Sequence, residues 1–194
     1  MTSRGVILYG PPTSGKDTVT AELARQDDRY TALPKLKVGT GRSAGYRPLT
    51  STDLEKLRDA DRLVVETRRY GNVYAIDRHD IAALLAADKV LIVHMGNVAD
   101  LNRLRESVPL DWTTVLLWVP RAVCADRSKH RGDVDTPKRL QAWDETLGDL
   151  QATDTPVFNL VIHTDQADPT ETARRIIAAV AGPRQLATVP LDLD

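Results

Sequence analysis

Short apolar runs alternate with helical patterns along most of the chain. The apolar runs cover residues 6–9, 62–67, 89–94, 114–119 and 158–163, and each is bounded by turn-forming residues. Between them, apolar residues recur at helical spacing over residues 18–25, 53–59, 78–87, 99–105, 122–129, 137–150 and 170–181. Strands that alternate with helices predict an α/β fold with one parallel sheet. Since the strands are nearly continuous apolar runs, we expect helices to cover both faces.

This order of elements also predicts where a ligand binds. In open parallel sheets, ligands occupy the crevice outside the carboxyl ends of the strands. Lys16, His94 and the residues after Val119 follow the carboxyl ends of three predicted strands. We therefore expect these positions to face one crevice.

The chain length fits one domain. With 194 residues, 42% of them hydrophobic, the chain can bury a core of ordinary size. We expect a single domain at residues 1–182, containing an acceptor-binding region at about 35–87 and an arginine lid at about 127–139. Residues 183–194 carry Pro183, Pro190 and several acids, and this composition predicts a loose tail.

The strongest motif is a G-x-x-x-x-G-K loop at Gly10, Pro11, Pro12, Thr13, Ser14, Gly15 and Lys16. It lies between the first predicted strand and the first predicted helix, which is the context of a P-loop. Backbone N–H groups of such a loop, the helix N-terminus and the lysine bind the phosphates of a nucleoside triphosphate. A glycine-rich turn with a solvated lysine is the simpler alternative.

The residue after the P-loop lysine departs from the usual pattern. Serine or threonine normally follows the lysine and places a hydroxyl on Mg²⁺, whereas this chain has Asp17 followed by Thr18. A carboxylate is itself a ligand for hard cations. We therefore expect Mg²⁺ binding by Asp17 or Thr18 with altered geometry.

Charge, hydropathy and cysteine content narrow the function classes. The net charge of −1 gives no general attraction for nucleic acid. The sequence has no apolar run long enough for a membrane span and no leader-like apolar segment at its start, so we expect a cytoplasmic protein. Cys124 is the only cysteine; its apolar helical context predicts a buried structural thiol. We expect a monomer or homodimer.

Several later segments resemble the guanylate kinase family of P-loop phosphotransferases, in order from about Val6 to Ile177. Gly39-Thr40-Gly41-Arg42 followed by Tyr46 looks like the family's Thr-Thr-Arg segment and its tyrosine. Gly71-Asn72-Val73-Tyr74-Ala75 resembles the family's Gly-Asn-x-Tyr-Gly. The resemblance implies that Arg42, Tyr46 and Tyr74 hold the phosphate of an acceptor.

A lid pattern of the same family looks like Arg127-Ser-Lys-His-Arg131-Gly132 followed by Arg139. The resemblance implies that Arg127, Arg131 and Arg139 act in catalysis. Planar guanidinium groups suit this role because the transferring phosphoryl group spreads negative charge over its equatorial oxygens. Arginines beside a loop can equally form solvated surface pairs.

Other positions depart from the guanylate kinase pattern. The family's Asp-x-Asp, which contributes to guanine recognition, is replaced by Ile92 and His94, and its guanine-reading glutamate falls on Val65, one residue before Glu66. Without buried hydrogen-bond acceptors a site cannot select a particular nucleobase, so GMP is a poor fit as the substrate. The chain resembles the ribose 1,5-bisphosphate phosphokinase branch in these departures, in Asp17 and in the short segment after Arg42. The phosphoryl acceptor of that branch is a sugar phosphate.

Two of the remaining candidates, His94 and the cluster at residues 67–70, have two interpretations each. His94 could be a general base for an acceptor hydroxyl or a hydrogen-bonded wall of the crevice. Glu66 could contact the substrate, and the cluster Thr67-Arg68-Arg69-Tyr70 could extend an anionic acceptor site or form a solvated turn.

Together, motif and resemblance imply a P-loop kinase that uses ATP and Mg²⁺ and phosphorylates a small phosphorylated metabolite. Three alternatives remain at this point: a kinase for a hydroxyl acceptor such as a sugar or antibiotic intermediate, a guanylate kinase, and a non-catalytic guanylate kinase-like binding module.

Overall fold

A computed structural model of the chain describes residues 3–41, 45–69, 71–132, 135–153, 157–183 and 186–187. The strands are β1 (Arg4–Tyr9), β2 (Tyr30–Ala32), β3 (Lys35–Val38), β4 (Tyr46–Pro48), β5 (Leu63–Arg69), β6 (Asn72–Asp77), β7 (Val90–Met95), β8 (Asp111–Trp118) and β9 (Leu160–His163). The helices are α1 (Lys16–Gln26), α2 (Ser51–Asp59), α3 (Arg78–Ala86), α4 (Val98–Ser107), α5 (Arg121–His130), α6 (Thr136–Gln151) and α7 (Pro169–Ala181).

Five strands form a parallel sheet in the order β2-β7-β1-β8-β9. Side chains of β1 alternate between its two faces, as the two-residue period of a strand requires. Val6 and Leu8 pack in a cluster with residues of α1 and α7, whereas Ile7 and Tyr9 pack in a second cluster with residues of α3, α4 and α6. The predicted α/β fold with a helix-flanked parallel sheet is therefore confirmed.

A second sheet has the order β4-β3-β6-β5 and is mixed rather than parallel. The expectation that residues 62–67 join the parallel sheet is wrong, because β5 pairs antiparallel with β6. Strands β2, β3, β4 and β6 were not predicted. The first three have only three or four residues. Lys35 and Lys37 interrupt any apolar run in β3.

Two further expectations concern the core and the helices. Cys124 is fully buried, as predicted, and its thiol lies 3.4 Å from the carbonyl oxygen of Pro12. Within the described ranges, no helix combines the length and the apolar composition needed to cross a membrane.

The buried carboxylate of Asp77 joins the second sheet to α3. Asp77 is fully buried and caps α3 by accepting a hydrogen bond of 3.0 Å from the backbone N–H of His79. Arg62 donates to the same carboxylate, and Arg47 lies 3.2 Å from it. Burial alone would raise the pKa of Asp77, but these donors hold the pKa below its usual value. Asp77 therefore fixes the edge of the second sheet relative to α3.

We predict that Asp77→Ala lowers the free energy of unfolding by about 2–3 kcal/mol, since it removes a helix cap and leaves Arg62 without its carboxylate. Urea denaturation measures the loss. Asp59→Ala, at the exposed end of α2, is the control and should change stability by less than about 0.5 kcal/mol. Equal losses in the two variants would contradict this role of Asp77.

Candidate functional site

The P-loop is closely packed against the neighbouring strand β8. Gly10 has a φ of 151°, and a Cβ atom there would lie 2.1 Å from the carbonyl oxygen of Leu117. Gly15, with a φ of 84°, precedes the first residue of α1. Both positions need glycine, the first because the backbones approach closely and the second because its conformation is left-handed. The loop therefore has the compact turn that the motif predicts.

The ammonium group of Lys16 lies across the loop. It donates to the carbonyl oxygens of Gly10 and Pro11 at 2.7 and 2.8 Å, and to the hydroxyl of Ser14 at 3.2 Å. Burial lowers its pKa to about 8. The charge is therefore held in place at the N-terminus of α1, where a phosphate would also meet the helix dipole.

A central cavity of about 300 Å³ opens between the P-loop and the second sheet. We use this name for the space lined by Gly10, Pro12–Asp17, Lys35, Tyr46, Thr67, Arg69, Tyr74, His94–Gly96, Arg131, Arg139, Ala142 and Thr146. Among the described residues, the lining includes five lysine or arginine side chains and a single carboxylate, that of Asp17. In a protein of net charge −1, this concentration of positive charge suits a ligand with several negative charges.

One face of the second sheet forms the wall opposite the P-loop. Strand register places Lys35 beside Tyr46 and Lys37 beside Tyr74. The rings of Tyr46 and Tyr74 lie 5.3 Å apart between centroids, and the Lys37 ammonium is 5.7 and 5.9 Å from them. Two tyrosines and a lysine thus form one group on this wall.

The two segments that resemble phosphate-binding motifs are in contact. The side-chain carbonyl of Asn72 accepts a hydrogen bond of 2.8 Å from the backbone N–H of Thr40. A Cβ atom at Gly39 would lie 2.0 Å from the same oxygen. Asn72 therefore holds the Gly39-Thr40 turn beside the sheet that carries Tyr74. Arg42 lies outside the described residues.

Glu66 and Arg68 are not brought to the central cavity. On β5, Thr67 and Arg69 line the cavity, so the alternating positions point to the other face. There Glu66 pairs with Arg58 at 2.8 Å and with Arg68 at 3.3 Å. Neither side chain therefore reaches a ligand in this cavity. Glu66 does not supply the carboxylate that is missing at position Val65.

The sequence indicates Arg69 only as part of a cluster that could extend the binding site of an anionic acceptor, but in the structure Arg69 lines the central cavity. It donates to the carbonyl oxygen of Gly96 at 2.9 Å and to Glu145 at 2.7 Å. It therefore connects the end of β5 to the loop after β7 and to α6. Once β5 is known to be a strand, the spacing Thr67-x-Arg69 indicates that both side chains share a face.

The three predicted lid arginines occupy two different places. Arg131 and Arg139 line the central cavity. Arg127 does not, because its guanidinium donates to the carbonyl oxygens of Thr13 and Thr164, at 3.1 and 2.7 Å. It faces an outer cavity of about 200 Å³ on the other side of the P-loop, which Thr18 also lines. Arg127 therefore ties the P-loop to the loop after β9 rather than reaching the central cavity.

His94 lies in the wall beside the P-loop and is neutral. Its Nε2 is 2.7 Å from the hydroxyl of Thr20, and its Nδ1 is 3.7 Å from Asp17. Burial, together with the positive charges of Lys16 and Lys35, lowers its pKa to about 3. A general base works best with a pKa near the working pH, so this environment favours a hydrogen-bonded wall.

Asp17 is the one predicted metal ligand that faces the central cavity, since Thr18 faces the outer one. Its side chain is 63% exposed. The described residues contain no cluster of three or more acidic, histidine or cysteine side chains suited to a metal ion. Mg²⁺ commonly binds one or two carboxylates, several waters and the phosphates of the substrate. Asp17 beside the P-loop fits that pattern.

We predict that acidification destabilises the protein partly through His94. Its pKa in the folded chain lies below the unfolded value of 6.5, so the unfolded chain takes up more protons and stability falls as the pH drops below about 6.5. Thermal melts between pH 7 and pH 5 measure this fall, which His94→Gln should reduce. His130→Gln, at an exposed position in α5, should leave it unchanged; an identical fall in all three proteins would contradict the neutral state of His94.

Comparison with known proteins relates this chain to others by its structure and not by its sequence. No protein-family model matches the sequence, and no curated protein matches it. The structure is similar to the crystal structure of guanylate kinase from Anaplasma phagocytophilum, with a TM-score of 0.66 and 14% sequence identity over 93% of this chain and 85% of that chain. These comparisons give no support to the ribose 1,5-bisphosphate phosphokinase branch. At this identity the similarity establishes the fold: the chain has the P-loop architecture of a guanylate kinase.

Proposed function

We propose that this protein is a P-loop kinase that transfers the γ-phosphoryl group of ATP to a phosphate group on a small metabolite. The observation that carries the proposal is the composition of the central cavity. The P-loop with Lys16 forms one wall, the Tyr46 and Tyr74 pair forms another, and Arg131 and Arg139 line the same space. Phosphoryl transfer needs such an arrangement, because its catalysis is mainly positioning and charge stabilisation.

The donor phosphates would lie along the P-loop. Backbone N–H groups at the start of α1 and the Lys16 ammonium would bind the β- and γ-phosphates. The nucleoside would extend into the outer cavity, which shares Thr13, Gly15 and Arg131 with the central cavity. The buried hydroxyl of Thr172 lines that outer cavity without a hydrogen-bond partner among the described residues, and it offers one polar contact. The choice of ATP over GTP comes from the family resemblance.

The acceptor phosphate would lie against the second sheet. Tyrosine hydroxyls can donate to phosphate oxygens, and the Lys37 ammonium beside both rings adds positive charge. An oxygen of this phosphate would attack the γ-phosphorus, and the bond from that phosphorus to the oxygen of the ADP leaving group would break. The product is a diphosphate linkage, and no proton has to be removed from the acceptor.

Three groups would stabilise the charge that develops during transfer. Lys16, Arg131 and Arg139 line the central cavity, in which both phosphates would lie. Guanidinium groups fit the equatorial oxygens of the transferring phosphoryl group. Mg²⁺ held by Asp17 and the donor phosphates would supply further charge neutralisation.

The cavity favours a phosphate acceptor over the alternatives. A hydroxyl acceptor would need a base, and the pKa of His94 at about 3 makes it a poor one. Guanine recognition would need carboxylates near the second sheet, but Val65 is apolar and Glu66 faces away. A purely binding module would not need Lys16, Arg131 and Arg139 in one cavity.

We predict that Lys16→Met lowers ADP release from Mg-ATP, measured with a panel of phosphorylated sugars and nucleoside monophosphates, by about 10²–10³-fold. The control Lys56→Met removes a lysine of α2 that is 72% exposed and should keep full activity. Retained activity in Lys16→Met would contradict the kinase proposal.

The arginines should separate into two kinetic classes. Arg131→Ala and Arg139→Ala should lower kcat by about 10²-fold or more, because they remove charge at the transferring group. Arg127→Ala should instead lower the melting temperature and raise the KM for ATP. Arg121→Ala, which removes an exposed pair with Asp144, is the control. A selective loss of kcat in Arg127→Ala, without a loss of stability, would contradict the assignment.

A further inference from the structure

Arg69 carries a positive charge from the second sheet to the edge of the parallel sheet. It is the last residue of β5, and its side chain lines the central cavity. Its guanidinium donates to the carbonyl oxygen of Gly96, at 2.9 Å, in the loop that follows β7. A residue of the second sheet therefore contacts the edge at which the strands of the parallel sheet end.

The Gly96 loop lies beside the start of the P-loop. Tyr9 and Met95 are paired in the register of the parallel strands β1 and β7. Gly10 and Gly96 follow these two residues and leave the sheet at the same edge, where neighbouring strands lie about 4.8 Å apart. The guanidinium of Arg69 is therefore placed next to the loop that would bind the donor phosphates.

The charge of Arg69 also acts on the lysine of the P-loop. Burial lowers the pKa of Lys16 most, and the positive charges of Lys35 and Arg69 lower it further. Cations that repel one another in the free protein are stabilised when a polyanion binds among them. Lys16 would meet such a ligand from the P-loop, and Arg69 would meet it from the second sheet.

Two contacts fix the orientation of the Arg69 guanidinium. One nitrogen donates to Gly96, and another donates to the carboxylate of Glu145, on α6, at 2.7 Å. A Cβ atom at position 96 would lie 2.9 Å from the first of these nitrogens, so glycine leaves room for the guanidinium there. The Arg69 side chain is 23% exposed. Donors that are held in place before a ligand arrives stabilise developing charge most effectively.

We propose that Arg69 is a catalytic residue whose guanidinium binds the transferring phosphoryl group between the P-loop and the acceptor phosphate, and that Glu145 and Gly96 position it. This inference rests on the proposed function and adds a residue that belongs to neither the P-loop nor the lid. An oxygen of the acceptor phosphate attacks the γ-phosphorus, and the bond from that phosphorus to the ADP oxygen breaks. Arg69 donates hydrogen bonds to the equatorial oxygens throughout and keeps its proton.

The test compares two nucleotides that differ by the γ-phosphate, and it needs no identified acceptor. The full chain is titrated calorimetrically, in Mg²⁺, with ADP and with adenosine 5′-(β,γ-imido)triphosphate, a non-hydrolysable analogue of ATP. Arg69→Met should weaken binding of the triphosphate about tenfold or more, because a charge-assisted hydrogen bond is lost, and should change ADP binding by less than about twofold. Arg69→Lys keeps the charge and should recover part of the loss.

A second ion pair on β5 provides the matched control. Arg58 pairs with Glu66 at 2.8 Å and also joins β5 to a helix, but on the face away from the cavity. Arg58→Met should therefore bind both nucleotides like the wild type.

The positioning role of Glu145 is tested with a double-mutant cycle. Glu145→Ala should reduce the preference for the triphosphate over ADP by about threefold. In an Arg69→Met background it should have no further effect, because Glu145 acts through Arg69. Equal effects of Glu145→Ala in both backgrounds would contradict this positioning role.

Two results would overturn the catalytic role of Arg69: an Arg69→Met variant that weakens both nucleotides equally, as a purely structural link would, or one that binds both like the wild type. Either result, together with Lys16-dependent ADP release by the wild type, would leave the proposed function intact. Failure of the proposed function has a different signature. The wild type would then bind neither nucleotide, which would contradict the role of Arg69 as well.

Turnover gives the matching kinetic result. With any acceptor of the panel that the wild type phosphorylates, Arg69→Met should lower kcat by about 10²-fold, because it removes charge at the transferring group. An unchanged kcat would contradict the proposal.

Discussion

The close packing of the P-loop against β8 is the constraint on which the site depends. Gly10 approaches the carbonyl oxygen of Leu117 too closely for any side chain. Arg127 donates to the carbonyl oxygen of Thr13, and the hydroxyl of Thr164 donates to that of Ser14 at 3.1 Å. These contacts come from three different elements and hold the backbone from outside the cavity. The loop can therefore present its N–H groups without rearrangement, which is the condition for strong electrostatic stabilisation.

Charge is distributed unevenly around that fixed loop. The chain is almost neutral overall, yet the central cavity gathers lysines and arginines from the P-loop, the second sheet and the lid region. Burial lowers the pKa values of Lys16, Lys35 and His94, and neighbouring positive charges lower those of Lys16 and His94 further. Such an arrangement costs stability in the free protein, and polyanionic ligands would recover that cost on binding. The positive charges that would bind the ligand are therefore the same charges that destabilise the free protein.

The sequence predicted the parts that local rules govern and missed the parts that depend on long-range pairing. The P-loop and the helix-flanked parallel sheet follow from apolar runs and from the G-x-x-x-x-G-K spacing. The second sheet did not, since β3 is short and carries Lys35 and Lys37, and its stability comes from its pairing with β6. The same missing knowledge of strand pairing explains why the cavity-facing residues of β5 could not be assigned from the sequence. Thr67 and Arg69 face the cavity while Glu66 faces away, and that alternation could be assigned only once β5 was placed in an antiparallel pair.

The central claim is transfer of a phosphoryl group from ATP to a phosphate. The most direct measurement is ³¹P NMR of the reaction mixture after incubation of the protein with Mg-ATP and a panel of small phosphorylated metabolites. We expect ADP together with a new pair of mutually coupled resonances from a diphosphate linkage on one acceptor. Formation of ADP and inorganic phosphate alone, or of a phosphomonoester on a previously unphosphorylated alcohol, would contradict it.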